Sequence, residues 1–253
     1  MFWKKKPPPP PFVSAVVVSA GAATRMDGID KQRAELFGLP VVARSIQALA
    51  ECELISEIVL VCPVGQVADY YELTRDLEPG QVSKIVEGAS TRQASVFAGV
   101  LAASEQAEYF AIHDGARPLV TPEEVTACVE AAFEHGAAAL GVKPKDTLKQ
   151  TGGDGYITAT LNRDELIAIQ TPQVFEAGVY RKAMAVARCE ERSYSDDCQL
   201  VERLGKKVYI VSGRYENIKI TTPEDLIIAR GLLSCREGGP AEAFLGEGYY
   251  ADT

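Results

Sequence analysis

The chain has 253 residues, 47% hydrophobic and 24% charged, with 26 Lys+Arg against 35 Asp+Glu and a net charge of −9. A chain of this length and apolarity buries a sizeable core without disulfide or metal staples. The negative balance argues against a protein that tracks a nucleic-acid backbone, which needs clustered positive charge, but leaves room for a small phosphorylated ligand.

At the N-terminus, Lys4-Lys5-Lys6 and five prolines, Pro7 to Pro11, precede an apolar run. The prolines interrupt what would otherwise outline a signal peptide, so residues 1–11 read as a stiff Lys/Pro-rich tail and the apolar run as a buried strand. No run approaches the ~18 apolar residues of a membrane span. The six cysteines (Cys52, Cys62, Cys128, Cys189, Cys198, Cys235) form no C-x-x-C pair, and there are only two histidines. A zinc site is therefore improbable, and the cysteines read as reduced core residues of a cytoplasmic protein.

In chain order, strands are predicted at Val13–Ser19, Glu57–Cys62, Val82–Val86, Tyr109–His113, Ala138–Val142 and Lys207–Val211. Helices are predicted near Pro40–Glu51, Gln66–Arg75, Thr91–Ala103, Thr121–His135 and Ala177–Cys189. This alternation predicts an α/β fold, a mostly parallel sheet with helices on both faces. Thr121-Pro122-Glu123-Glu124 carries a capping box with proline in the first turn, and Thr222-Pro223-Glu224-Asp225 repeats the pattern. Between residues 144 and 163, two period-two runs flank Thr151-Gly152-Gly153-Asp154-Gly155, which predicts a projecting β-hairpin arm. Such an arm commonly lies on a second subunit, so a homodimer is expected. Residues 12–235 read as one domain, and 236–253, small and aperiodic, as a C-terminal tail.

Ligands of open α/β sheets bind beyond the carboxyl ends of the strands. The first strand runs into Ala20-Gly21-Ala22-Ala23-Thr24-Arg25-Met26-Asp27-Gly28-Ile29-Asp30-Lys31-Gln32, where small residues admit an anion to backbone N–H groups and Arg25 and Lys31 add positive charge. The same loop also reads as a plain strand-to-helix turn with two solvated cations. It is neither a Walker loop nor a dinucleotide fingerprint, because Gly28 lacks the following Lys-Ser/Thr and Ala23 occupies the second glycine position. His113-Asp114-Gly115-Ala116-Arg117-Pro118 ends the fourth predicted strand. Asp114 there is placed to hold Mg²⁺ against a triphosphate, or to form a turn salt bridge with Arg117. His113 is given no role.

Four segments in series, Ser-Ala-Gly…Arg-Met…Lys-Gln at 19–32, His-Asp-Gly-Ala-Arg-Pro at 113–118, Gln-Thr-Pro-Gln-Val-Phe at 170–175 and Asn-Ile-Lys-Ile-Thr-Thr-Pro-Glu-Asp-Leu at 217–226, resemble the 2-C-methyl-D-erythritol 4-phosphate cytidylyltransferases. The resemblance covers roughly residues 12 to 233. It implies a Rossmann-like nucleotidyltransferase fold and Mg²⁺-dependent transfer of CMP from CTP to a methylerythritol phosphate. Arg25, Lys31 and Lys219 would then act on the reacting phosphates. Ser19, Ala20 and Gly21 would contact the nucleotide through the first loop, and Ala89, Ser90 and Ser95 would form the cytosine pocket. Asp114 would be the metal-associated carboxylate. Thr147, Arg163, Thr171, Ser195 and Arg117 would contact the sugar phosphate, with Arg163 reaching a neighbouring subunit's site. Three departures from the family loop, Ala23 for glycine, Asp30 for proline and a stretch from Arg25 to Lys31 one residue shorter than is common, bear on loop geometry and affinity more than on reaction class. The alternatives are a ribitol- or other polyol-phosphate cytidylyltransferase and, in another class, a non-catalytic nucleotide-binding scaffold.

Overall fold

The structure, a computed structural model, describes residues 9–21, 30–75, 77 and 81–236. Both tails beyond these limits lie outside the described residues, as do Arg25 and Ala23. Chain order is β1 (Val13–Val18), β2 (Glu35–Leu36), β3 (Leu39–Pro40), α1 (Val41–Ala50), β4 (Glu57–Cys62), α2 (Val67–Thr74), β5 (Lys84–Glu87), α3 (Arg92–Ala102), β6 (Tyr109–Asp114) and α4 (Pro122–His135). There follow β7 (Ala137–Val142), β8 (Lys149–Thr151), β9 (Ile157–Thr160), a 3₁₀ turn (Arg163–Glu165), β10 (Ala168–Glu176), α5 (Ala177–Cys189), α6 (Asp197–Glu202), β11 (Tyr209–Ser212) and α7 (Pro223–Arg236).

Seven strands form one sheet in the order β11-β7-β10-β6-β1-β4-β5, parallel throughout except for β10, which runs antiparallel to both of its neighbours. The alternation read from sequence thus gives the expected mostly parallel α/β sheet. Its central strands are buried on both faces, and all six residues of β1 are buried. Val16 and Val18 pack under α3 and α5, whereas Ala15 and Val17 pack under α1 and α4. Helix α3 lies close on β1 and β4 because Gly99 faces them: a Cβ there would overlap Val16 Cγ1 and stand 2.7 Å from Val61 Cγ2. A third cluster, with Leu36, Val41, Leu119 and Ile220, fastens α7 near β2 and β3.

The capping box at Thr121 forms as read: its hydroxyl accepts from Glu124 N–H, and the Glu124 carboxylate accepts from Thr121 N–H. The hairpin forms with shorter strands than expected, β8 pairing with β9 only from Lys149 to Thr151. Two cysteines depart from the core reading: Cys189 and Cys235 are exposed in the last turns of α5 and α7, while the other four are buried. No described helix is long and apolar enough to cross a membrane.

Candidate active site

The carboxyl ends of β1, β4 and β6 open on one edge of the sheet, and the chain leaves each of them close to the next. After β1, Ser19 N–H donates to Val61 O at 2.8 Å, and after β6, Gly115 N–H donates to Val18 O at 3.0 Å. A cavity of about 540 Å³ lies there, with Gly21, Lys31, Ser90, Arg92, Asp114 and Lys219 in its wall.

The turn after β5 forms one side. Ser95, in the second turn of α3, accepts from Ala89 N–H at 2.9 Å, and its hydroxyl lies 2.9 Å from Thr91 O. Thr91 caps the helix by accepting from Ala94 N–H. This clamp brings Gly88 so near the first loop that a Cβ on it would overlap the Ala20 side chain. Ala20, Ala89, Ser90 and Ser95 therefore meet on one wall, although Ser95 itself is buried.

Asp114 holds the centre. Its Oδ1 is 3.0 Å from Arg92 Nε, and its Oδ2 is 2.8 Å from Lys219 Nζ and 3.8 Å from Arg117 Nε. Burial by itself would raise the pKa of this carboxyl, but the field of Arg92, Lys219 and Arg117 outweighs it and holds the group far below the usual carboxylate range. Lys219 reaches Asp114 because Ile220 N–H donates to Ala116 O, which lays the 217–222 segment along the turn after β6. Arg117 donates from Nη1 to Asn217 O at 2.7 Å. The turn pairing of Asp114 with Arg117 thus exists, but as the longest of three contacts to one carboxylate.

The remaining expected residues divide sharply. Lys31 lines the cavity, and its neighbour Asp30 does not face it as an unpaired anion: that carboxylate accepts from Gln32 N–H and pairs with Arg33 Nε, both at 3.0 Å. Ser19 is buried and is not part of the cavity wall, its Oγ without a hydrogen-bond partner among the described residues. Thr171 is buried too and does not line the cavity, its hydroxyl accepting from Asp114 N–H at 3.0 Å and hydrogen-bonded to His113 Nδ1. Thr147 and Arg163 lie exposed on the arm, with Arg163 Nη1 donating to Lys145 O, and neither lines the cavity. Ser195, also exposed, accepts from Gln199 Nε2 just ahead of α6. His113 is fully buried, and burial pulls its pKa down to about 4, which keeps the ring neutral.

Sequence reasoning missed Arg92 and Asp197. Arg92 opens α3, and its guanidinium bridges Asp114 to Asp197, the latter from Nη1 at 2.7 Å. Its position among Ser90, Thr91 and Ser95 was a usable signal, but its partners lie 22 and 105 residues away.

No group of three or more His, Cys, Asp or Glu residues among the described residues could hold a metal ion. Among the described residues, Asp114 is the only carboxylate in the cavity wall. Such a donor set suits Mg²⁺ carried mainly by phosphate oxygens and water, rather than a metal caged by protein.

A family model described as 2-C-methyl-D-erythritol 4-phosphate cytidylyltransferase matches residues 13–234. Relatives of that name include one from Pelotomaculum thermopropionicum, 43% identical over 91% of this chain and 98% of its own length. Another, from Caldanaerobacter subterraneus, is 45% identical over 85% of this chain and 96% of its own. Among solved structures, 4-diphosphocytidyl-2C-methyl-D-erythritol synthase from Anaerococcus prevotii aligns with a TM-score of 0.78 at 32% identity, over 88% of this chain and 99% of that one.

Proposed function

The chain belongs to the 2-C-methyl-D-erythritol 4-phosphate cytidylyltransferase family, and on that premise we propose which of its residues carry the reaction. The protein transfers CMP from CTP to 2-C-methyl-D-erythritol 4-phosphate and releases pyrophosphate, a step of non-mevalonate isoprenoid precursor synthesis. A phosphate oxygen of the acceptor bonds to the α-phosphorus of CTP as the bond to the departing pyrophosphate breaks. The acceptor is a phosphate monoester, mostly dianionic near neutrality, so no general base is needed. The task is to hold two anions in line and neutralise the charge that develops.

The observation that carries the assignment is the cavity wall, which Lys31 shares with Arg92 and Lys219, the last two paired with one carboxylate. Lys31 and Lys219, with Arg25, take the triphosphate and stabilise the α-phosphorus. Ser19, Ala20 and Gly21 receive the nucleotide at the first loop, and Ala89, Ser90 and Ser95 receive cytosine, which needs donors and acceptors along one edge. Asp114 is the residue that would hold Mg²⁺, which when bound would supply neutralisation of phosphate charge. Arg117, Thr171 and Ser195 serve the sugar-phosphate side.

Thr147 and Arg163 serve the cavity of a second copy. Supporting this, the arm exposes Leu148, Tyr156, Ile157 and Leu161, apolar side chains that a homodimer would cover. The buried free thiols support a reducing, cytoplasmic setting.

The test offers each of the four nucleoside triphosphates with either methylerythritol phosphate or ribitol phosphate. Pyrophosphate is expected only from CTP with methylerythritol phosphate. Release with ribitol phosphate alone would reassign the acceptor, and CTP binding without release would favour a scaffold.

A further inference from the structure

Behind the cavity, Arg92 is held by a carboxylate that lines no part of the wall described above. Asp197, the first residue of α6, is 1% exposed. Its Oδ2 accepts from Arg92 Nη1 at 2.7 Å, and its Oδ1 accepts from Tyr180 OH at 2.5 Å. Its backbone is fixed as well, because Gln173 Oε1 accepts from both Asp197 N–H at 3.1 Å and Cys198 N–H at 3.2 Å. Tyr180 in turn is fully buried and stacked on Phe175, ring centroids 5.2 Å apart. A continuous line of polar contacts thus runs from α5 through α6 and α3 to β6 and the 217–222 segment: Tyr180, Asp197, Arg92, Asp114, Lys219.

We infer that Asp197 is a positioning residue for cytidylyl transfer, acting through Arg92 to keep Asp114 and Lys219 in their reactive arrangement; this rests on the reaction assigned above. A guanidinium facing a single carboxylate tends to engage it with two parallel N–H bonds. Here Asp197 draws Nη1 away, so Arg92 meets Asp114 only through Nε and only at Oδ1. The other oxygen stays with Lys219, in the cavity. Without the Asp197 charge, Arg92 closes on Asp114 with both edges, and Lys219 loses its anchor. The neutral, fully buried Tyr180 hydroxyl contributes by holding Asp197 from the side opposite Arg92. Buried polar groups that orient a functional side chain in this way typically contribute about 10–100-fold to function when removed.

The test is a double-mutant cycle on the full chain, reading kcat and KM for CTP from pyrophosphate release, with thermal melting run in parallel. Asp197→Asn keeps shape and volume but turns an amide donor toward Arg92. It is expected to lower kcat by about 10–100-fold, with KM for CTP changing less than about threefold. In an Arg92→Gln background the same change is expected to cost less than about threefold, because its route to the cavity is already cut. Tyr180→Phe, which removes one hydroxyl and keeps the ring stack, covers the case in which Asp197→Asn folds poorly. It is expected to lower kcat by about 3–10-fold in the native background and to have no further effect beside Asp197→Asn. Equal losses in both backgrounds, a loss confined to KM, or unchanged kcat in a folded Asp197→Asn protein would overturn the inference. An active wild type with an additive cycle sinks only the role of Asp197, whereas a wild type that releases no pyrophosphate sinks the reaction as well.

Discussion

Replacing Asp114 with asparagine removes the anion on which Arg92, Lys219 and Arg117 converge, at 3.0, 2.8 and 3.8 Å. At an effective dielectric constant of about 20, unit charges about 3 Å apart attract by roughly 5–6 kcal/mol before desolvation is charged against them. Breaking one partner out of a buried pair costs about 3–5 kcal/mol in practice. Lys219 is 36% exposed and Arg92 keeps Asp197, so solvent and a remaining partner soften the loss to the lower end, about 3 kcal/mol. For a domain of this size that is a fall in Tm of roughly 6–12 °C at neutral pH. The pH dependence has a definite sign. The folded carboxyl titrates below its ordinary value, so its stabilisation is complete above about pH 4 and is lost as pH falls below that. The gap in Tm between wild type and Asp114→Asn, followed by circular dichroism, should therefore narrow from pH 7 to pH 3. Turnover should fall at least about 100-fold at pH 7, since the same group anchors Lys219. An Asp114→Asn protein as stable as wild type at pH 7, or a gap that widens in acid, would refute the electrostatic account.

Lys31→Ala, and likewise Arg25→Ala, should cost at least about 100-fold in turnover while Tm moves by no more than roughly 2 °C, because the proposed assignment gives these cations to the reaction rather than to the fold; near-normal pyrophosphate release by either variant counts against the assignment. Gly88→Ala forces a methyl into Ala20 and to 2.8 Å from Ser95 Oγ, so KM for CTP should rise by about tenfold in steady-state assays. His113, pulled down to about 4 by burial, takes up its proton more readily when unfolded, so its share of stability is present above about pH 6.5 and lost toward pH 4. Denaturant titrations of His113→Gln should accordingly fall less between those pH values than wild type. Ile157→Asp on the arm should shift sedimentation toward the monomer, and mixing Lys31→Ala with Arg163→Ala protein should recover about a quarter of the native activity as hybrid dimers form with one intact site.

Much of this molecule was legible in the chain because local physics wrote it there. Val13–Val18 is buried along its whole length, and a run without charged residues, rich in valine, is what a parallel central strand requires. Thr121 and Glu124 close their capping box within four residues, so no distant contact is needed to recognise it. Strand β10 was less legible. Its Gln-Thr-Pro-Gln-Val-Phe core stood out as a motif rather than as a strand, since proline cannot donate to a ladder. The sheet accommodates it with a register shift between Ile169 and Gln173, where β10 passes β7.

What sequence alone determined was the alternation of the main strands and helices, the end of the sheet where a ligand is expected, and the class of anion implied by motifs in series, because each follows from short-range pattern or from those motifs. Tertiary structure decided which charges meet. Asp114 and Arg117 are neighbours along the chain, yet the closer partners of that carboxylate are Arg92 and Lys219, from a helix start and from a loop that backbone pairing to Ala116 draws in. Arg92 depends also on Asp197, 105 residues onward. Electrostatic coupling falls with distance in space and is indifferent to separation along the chain, so only the fold could reveal it.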